Sequence, residues 1–194
     1  MTLLLKFALT VFLLTAVLGV SQSLWHVPKG RPVLIDGKLE KGAWVDSRVK
    51  DLPGLARVRV KRSEEYVFLA IELVSSDDGA VDLYLSPSPG RLYDLHSSAK
   101  LGERKLENGT WPEWNWWNNS GWVANVSRFD SVKKPYFLPT KVREFQISRA
   151  RFPGKEWKMM VEVVTPAEPN WRTVAYPPGA KNTDTNGWVV LKFE

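Results

Sequence analysis

The chain of 194 residues contains no cysteine and only two histidines. Without cysteine it can form no disulfide and carry no cysteine-linked lipid, so core packing alone has to stabilise it. It also lacks a Gly-x-Ser-x-Gly nucleophile motif, a phosphate-binding loop and a pair of histidines at metal-ligand spacing. These absences predict a protein that is not an enzyme, with no catalytic residue, no metal site and no cofactor.

One long apolar run stands near the N-terminus, from Phe7 to Val20, with a basic residue before it. A Ser-Gln-Ser segment that ends at Ser23 follows the run, as in a secretory signal peptide. The run is shorter than the roughly 20 residues that a membrane-spanning helix needs. We therefore predict a signal peptide over residues 1–23, with an uncleaved anchor as the alternative. The remaining residues, 24–194, are predicted to form one exported domain, secreted or periplasmic, without a stable membrane span.

The net charge of +6 permits an anionic partner, but export and the lack of a recognition-helix pattern argue against nucleic acid. Basic and apolar residues alternate around Arg57, Arg59 and Lys61, which predicts a basic stripe on one face of a strand. Two interpretations of the stripe stay open. It binds an anionic polymer or a protein of the cell envelope, with an affinity that falls as salt rises, or it is a solvated sheet face that discourages edge pairing.

Short runs of alternating or apolar residues, separated by turn residues, dominate the rest of the chain. Strands are predicted over residues 56–61, 66–74, 80–85, 91–98, 101–106, 122–126, 142–147, 156–164 and 188–193. Helix signals are limited to one or two short helical turns, at residues 38–45 and 148–152. This pattern predicts an all-β fold, an antiparallel β-sandwich, rather than alternating strands and helices.

Two connections are long and rich in Pro, Gly and Asn, at residues 108–121 and 166–187. Long loops in compact domains usually carry function. The first loop and the residue after it contain the segment 110–122, TWPEWNWWNNSGW, which holds five of the ten tryptophans. We call it the Trp-rich segment; its composition predicts no regular element. The tryptophans Trp44, Trp122, Trp157 and Trp188 are predicted to lie in the core.

A Trp-rich surface segment suits a sugar, because indole rings match the apolar face of a pyranose while amides and carboxylates bind its hydroxyl groups. A stacked ring that buries roughly 60–80 Å² contributes on the order of 1.5–2 kcal/mol. At least two of the four central indoles are predicted to face ligand or solvent; the alternative is that the segment plugs one end of the sandwich. The predicted ligand-binding residues here are Trp111, Glu113, Trp114, Asn115, Trp116 and Trp117.

Three asparagines, Asn108, Asn118 and Asn125, match the acceptor pattern for N-linked glycosylation. Two of them lie in or beside the Trp-rich segment. A glycan there would be expected to block a binding site on that segment.

The segment from Val33 to Trp44, VLIDGKLEKGAW, resembles the opening of family 9 carbohydrate-binding modules and of the wider DOMON-like superfamily. The later segments YVFLAIEL, VDLYLSPS, LYDLHSS and VREFQISRARF resemble that family's strands in the same order. The resemblance extends over about residues 32–193. It implies a jelly-roll-like β-sandwich that binds a carbohydrate or glycan and catalyses no reaction.

The resemblance also implies site residues. By position, Asp82 matches the acid that sugar-binding members carry on one strand, and His96 stands where they carry an arginine on the next. The two tryptophans that clamp the sugar in those members have no counterpart at residues 75–79 or 181–185. The Trp-rich segment together with Tyr176 is the predicted substitute. Asp82 and His96 have a structural alternative, in which they pair with each other across adjacent strands or with Tyr84, Tyr93 or Arg91.

Two other classes of function stay open. Some DOMON-like domains bind haem b for electron transfer through axial His, Met or Lys side chains, and here His96 with Met159 or Met160 would be the candidates. Adjacent methionines, however, more often pack in a core. A glycosidase needs two carboxyl groups facing across a cleft, and Glu113 with Asp82 is a pair that nothing in its spacing singles out.

Overall fold

The computed structural model describes residues 22–40, 42–74, 79–117, 120–125, 127–129, 132, 135–137 and 140–193. The predicted signal peptide, except for its last two residues, lies outside the described residues. Within them, no helix is long and apolar enough to cross a membrane.

Fifteen strands and no helix occur in the described part of the chain. They are β1 (Leu24–Val27), β2 (Arg48–Leu52), β3 (Ala56–Arg62), β4 (Tyr66–Leu73), β5 (Ala80–Ser88), β6 (Arg91–Ser97), β7 (Leu101–Lys105), β8 (Asn115–Trp116), β9 (Trp122–Ala124), β10 (Ser127–Phe129), β11 (Pro135–Phe137), β12 (Val142–Ser148), β13 (Glu156–Ala167), β14 (Asn170–Tyr176) and β15 (Val189–Phe193).

The strands form two large sheets and a small ribbon. The first sheet has the order β1-β15-β13-β5-β6-β7-β8, with β14 also paired to β13. The second sheet has the order β2-β3-β4-β12-β9, and β10 pairs with β11. All of these pairs are antiparallel except β1 with β15. The prediction of an antiparallel all-β sandwich is confirmed.

All nine strands predicted from the alternation pattern are present, with ends that shift by at most a few residues. The predicted helical turns are single hydrogen-bonded turns and not helices: the N–H of Ala43 donates to Glu40 O, and that of Phe152 to Ser148 O. The predicted loop 166–187 is partly wrong, because its first residues end β13 and form the hairpin partner β14.

The two sheets face each other across the main core, which takes alternate residues from β3, β4, β5, β6, β12 and β13. The four tryptophans predicted to be in the core are confirmed as buried. Trp122 and Trp157 lie between the sheets. Trp44 and Trp188 lie in two smaller clusters, one on the outer face of each sheet.

Residues 33–44 cover the outer face of the second sheet, where Trp44 packs against Phe68 and Ala70 of β4. This cover overturns the prediction of a basic stripe on β3. The Lys61 side chain is 0% exposed and donates to Ala43 O at 2.5 Å and to Asp46 Oδ1 at 2.6 Å.

The other two basic residues of the predicted stripe are neutralised by carboxylates. Arg57 pairs with Asp51 at 2.7 Å, and Arg59 pairs with Glu72 at 2.9 Å. The predicted stripe is therefore not a continuous cationic surface; Arg57 and, in part, Arg59 are solvated, while Lys61 is buried.

A buried carboxylate fixes the covering segment to the second sheet. Glu144 of β12 accepts hydrogen bonds from the backbone N–H groups of Asp36 at 3.0 Å and Gly37 at 2.7 Å, and from Trp44 Nε1 at 3.2 Å. Gly37 has φ of +84°, and a Cβ there would lie 2.5 Å from Asn125 Nδ2. Asp36, Gly37 and Trp44, all in the segment that resembles family 9 modules, thus donate to the same carboxylate.

The three predicted glycosylation acceptors differ in accessibility. Asn108 is exposed at a turn with φ of 51°. Asn125 is buried, donates to Val142 O at 3.1 Å and accepts from the N–H of Glu144 at 2.6 Å, so a glycan there would require these bonds to break. Asn118 lies outside the described residues.

We predict that Glu144→Gln lowers the free energy of unfolding by about 2 kcal/mol, because hydrogen bonds to a buried charged acceptor contribute about that much. The amide N–H groups of glutamine would also face the N–H groups from which Glu144 now accepts hydrogen bonds. Urea denaturation measures the change. The matched control is Glu156→Gln, at the exposed start of β13, and an equal loss in both variants would contradict the anchoring role.

Candidate functional site

The outer face of the first sheet carries a continuous row of facing residues. Strand pairing places Trp116 opposite Gly102, Gly102 opposite His96, and His96 opposite Asp82. The row continues to Glu162 and Ala175 on the next two strands. Directly opposed residues on neighbouring strands have Cβ atoms about 5 Å apart. This first row therefore joins an aromatic ring at the sheet edge to two carboxylates near the sheet centre.

A second row runs beside the first, two residues along each strand. It places Arg104 opposite Asp94, Asp94 opposite Tyr84, and Tyr84 opposite Met160. Both rows follow from the period of two along a strand. The polar residues at alternate positions of β5, β6 and β7 consequently share one face of the sheet.

Gly102 makes room for the indoles of the Trp-rich segment. A Cβ on Gly102 would lie 2.8 Å from Trp116 Cζ3 and 3.0 Å from Trp114 Cε3. The two indoles stack with centroids 5.3 Å apart and planes at 28°. A residue with a side chain at position 102 would hold both rings away from the sheet.

His96 lies beside these two indoles and is held on both nitrogens. Its Nδ1 lies 2.5 Å from Asp82 Oδ1, and its Nε2 lies 2.7 Å from Ser98 Oγ. The imidazole centroid is 5.1 Å from that of Trp114 and 5.5 Å from that of Trp116. The predicted pairing of Asp82 with His96 across adjacent strands is present.

Arg104 connects the second row to the aromatic rings. Its Nε and Nη2 donate to Asp94 Oδ2 at 3.0 Å and 2.9 Å. The guanidinium carbon lies 4.0 Å from the Trp114 ring centroid and 5.1 Å from that of Trp111. One cation therefore holds a buried carboxyl group and two indoles in fixed positions.

Burial dominates the protonation of the acids on this face. Burial, and to a smaller extent the negative charge of Asp82, raises the pKa of the Asp94 carboxyl to about 8 despite the opposing charge of Arg104. Burial also raises the pKa of Glu162, while its hydrogen bond from Tyr84 opposes the shift. Asp94 is 0% exposed, and within the described residues its Oδ1 has no hydrogen-bond partner.

The loop before β15 reaches this face as well. Trp188 Nε1 donates to Lys181 O at 2.9 Å, which holds the loop over the sheet. Asn182 Nδ2 donates to Tyr84 Oη at 3.3 Å, and Tyr84 Oη donates to Glu162 Oε2 at 3.0 Å. A chain of hydrogen bonds thus links this loop to the centre of the first row.

Five of the nine predicted site residues come together on this face: Trp111, Trp114, Trp116, Asp82 and His96. Glu113 is exposed, and Trp117 is 38% exposed with φ of 63°. Trp116 is 39% exposed, so the prediction that at least two of the four indoles are exposed is confirmed. Whether any of these residues binds a ligand stays a prediction.

Two predicted site residues do not join the group. Asn115 pairs with Glu103, so alternation places it on the face opposite to Trp116. Tyr176 packs against the main core, with its ring 6.3 Å from Trp25, while the preceding Ala175 points to the outer face. The prediction of a platform formed by the Trp-rich segment and Tyr176 is corrected accordingly.

Among the described residues of the Trp-rich segment, Trp111 to Trp116 lie along the outer face and the edge of the first sheet, and they do not plug the end of the sandwich. Part of the segment forms the edge strand β8, which pairs with β7. Its first ring, Trp111, packs 5.7 Å from Tyr84 over the outer face. The composition of the segment predicted no regular element. Composition alone does not show that β7 has a free edge with which β8 can pair.

Sequence reasoning missed several residues on the outer face: Tyr84, Asp94, Arg104, Glu162, Trp171 and Asn182. The available signal was alternation within predicted strands, since Asp82 and Tyr84 are two residues apart, as are Asp94 and His96. Trp171 of β14 is 64% exposed, and its register opposite Pro166 puts it on the same face.

The haem alternative requires ligands that these residues do not offer. Both nitrogens of His96 are engaged, with Asp82 and Ser98. Met159 is buried in the main core, on the opposite face from His96, and Met160 is buried beneath Tyr84 and Trp188. The pairs His96–Met159 and His96–Met160 therefore do not fit an axial ligand set for haem b.

No family model matches the sequence, and no curated protein sequence is detectably similar to it. The fold is similar to the crystal structure of a proposed carbohydrate-binding protein from Bacteroides uniformis ATCC 8492, with a TM-score of 0.58. The match covers 90% of this chain and 100% of that chain at 13% sequence identity. At this identity the similarity supports the fold.

We predict that the free energy of unfolding falls as the pH rises from about 5 to about 8. The raised pKa of Asp94 means that the folded protein keeps a proton which the unfolded chain releases above about pH 4. Asp94→Asn removes this titration and should make the fall shallower. Urea denaturation at several pH values measures it.

The control for this titration is Glu156→Gln, which removes an exposed carboxyl group. It should leave the slope of stability against pH as in the parent protein. An unchanged slope in Asp94→Asn would contradict the assignment of this pH dependence to Asp94.

Proposed function

We propose that the protein is an exported, non-catalytic carbohydrate-binding protein, similar to family 9 modules, which binds a sugar on the outer face of the first sheet. The observation that carries the proposal is the exposed Trp116 indole, stacked on Trp114 and placed in one row with His96 and Asp82. An indole offers the apolar contact that a pyranose ring needs.

The polar residues of the first row suit the hydroxyl groups of a sugar. Asp82 and Glu162 carry carboxylate oxygens, which accept hydrogen bonds from hydroxyl groups. Asn182, from the loop before β15, adds an amide group beside them, where its Nδ2 donates to the buried Tyr84 Oη. Hydrogen bonds to charged acceptors contribute about 1.5–3 kcal/mol each, so two or three of them add to the stacking contribution.

The carboxyl groups also support binding over hydrolysis. Glycosidases place two carboxyl groups on opposite sides of the bond that they cleave. Here Asp82 and Glu162 are direct neighbours on one face of a single sheet. Each is already engaged with a neighbour. Asp82 Oδ1 lies 2.5 Å from His96 Nδ1, and Glu162 Oε2 accepts a hydrogen bond from Tyr84 Oη.

The similarity of fold supports the same ligand class. The Bacteroides uniformis protein is a proposed carbohydrate-binding protein, and the alignment covers its whole chain. Trp171 lies on the same face as Trp116, several strands away. A second aromatic ring at that distance suits a ligand longer than one sugar unit.

We predict that Trp116→Ala weakens sugar binding by about tenfold to thirtyfold, the equivalent of about 1.5–2 kcal/mol of lost stacking. A glycan array with the purified protein identifies a sugar that binds, and calorimetry with that sugar measures the dissociation constant. Trp171→Ala tests the length of the site, since it should matter only for an oligosaccharide.

The control is Val49→Ala, which shortens an exposed apolar side chain on the second sheet. It should leave the affinity unchanged. Full affinity in a folded Trp116→Ala variant would remove this indole from the site, and binding of no glycan by the wild-type protein would overturn the proposed ligand class.

We also predict that Gly102→Ala weakens binding of the same sugar several-fold. The added Cβ would lie 2.8 Å from Trp116 Cζ3, so the indole has to move away from the sheet. Near-ultraviolet circular dichroism should change with the packing of the two rings, while the unfolding midpoint changes little. Unchanged affinity and spectrum would show that the glycine does not position the platform.

A further inference from the structure

A cleft of about 680 Å³ lies between the end of β1, residues 45–48 and the end of β3. It shares no lining residue with the two rows on the outer face of the first sheet. Its volume falls in the range of pockets that bind small molecules. Valine and proline side chains line part of it, and the rest is polar.

The charged groups in this cleft are mostly basic. Lys29, Arg48 and Arg62 line it together with His26, and Asp46 is the one carboxylate among its lining residues. Asp46 is already satisfied from outside the cleft. Its Oδ1 accepts from Lys61 Nζ at 2.6 Å, and its Oδ2 accepts from the Arg31 N–H at 2.7 Å.

Among the residues that line the cleft, Arg62 gives the clearest indication that a hydrogen-bond acceptor is missing. The residue is 8% exposed, and its Nε is buried without a hydrogen-bond acceptor among the described residues. Its backbone is fixed, since its N–H donates to Pro28 O at 3.0 Å and its carbonyl accepts from the Gly30 N–H at 2.8 Å. A buried donor without an acceptor is costly, and an anion would satisfy it.

The neighbouring groups are arranged for the same kind of ligand. Arg48 is oriented by its Nε, which donates to His26 O at 2.6 Å. Lys29 pairs at 2.5 Å with Glu64, an exposed side chain. Lys29, and more weakly Arg62, lower the pKa of Glu64, so this carboxylate, which is not a lining residue of the cleft, stays charged and neutralises Lys29.

We propose that this cleft binds a small organic oxyanion, whose carboxylate, sulfate or phosphate group contacts Arg62 and Arg48. Guanidinium groups bind such oxyanions with paired, charge-assisted hydrogen bonds. The apolar side chains of Val27, Pro28 and Val45 line the same cleft and contact the carbon skeleton of the ligand. The site is independent of the sugar site on the outer face.

The test is calorimetric titration of the purified protein with glucuronate and with inorganic sulfate, at constant ionic strength, with glucose as the neutral counterpart. We expect glucuronate and sulfate to bind and glucose not to bind in this cleft. Arg48→Gln and Arg62→Gln should each weaken anion binding by about tenfold or more. Added sodium chloride should also weaken it.

Two control variants separate this site from others. Arg57→Gln removes an arginine that already pairs with Asp51 outside the cleft, and it should leave anion affinity unchanged. Trp116→Ala should also leave it unchanged, so failure of the sugar site and failure of this site are distinguishable. Arg62 is buried, so its replacement can unfold the protein. The Arg48→Gln variant therefore provides an independent measurement of anion affinity at the same site.

Nuclear magnetic resonance on the wild-type protein needs no variant. Glucuronate should shift the amide signals of His26, Lys29, Arg48 and Arg62. Shifts confined to the two rows of the outer face, equal affinity for glucose and glucuronate in the Trp116→Ala variant, or full anion affinity in folded Arg48→Gln and Arg62→Gln variants would each overturn the proposal.

Discussion

The pairing of Asp94 with Arg104 is the interaction on which the candidate site depends. A carboxyl group at the centre of a sheet face is costly to bury, and Arg104 offsets part of that cost through two donors to one oxygen. The same guanidinium is a flat surface against Trp111 and Trp114. The indoles are therefore ordered before any ligand arrives, which reduces the entropy that binding would cost.

The outer faces of the two sheets are covered to different extents. The second sheet is covered by residues 33–44, because Glu144 collects the donors of that segment and Trp44 fills the space above β4. The first sheet is covered only in part, by the cluster around Trp188. The first row, which contains His96 and Asp82, stays partly exposed, so the face that lacks a complete cover is the one that carries the convergent polar and aromatic groups.

Alternation along the sequence was sufficient to predict nine of the fifteen strands, but not β1, β2, β8, β10, β11 or β14, and it also placed Trp122, Trp157 and Trp188 in the core. It was insufficient for Asn115 and Tyr176, because the face that a residue occupies depends on the register with its partner strand. The edge strand β8 forms because Gly102 leaves space for Trp116, and these residues are far enough apart that no local pattern connects them. The sequence gives no sign of the burial of Asp94, because this burial depends on tertiary neighbours such as Arg104, which comes from the adjacent strand.

The outer face and the cleft beside Arg62 differ in charge, and this difference affects ligand choice. On the outer face, Asp82 and Glu162 are carboxylates that accept hydrogen bonds from neutral hydroxyl groups and repel anions. In the cleft, Arg48 and Arg62 attract anions, while the one carboxylate there is neutralised by Lys61. A neutral sugar would thus bind on the outer face, and an acidic sugar would bind in the cleft.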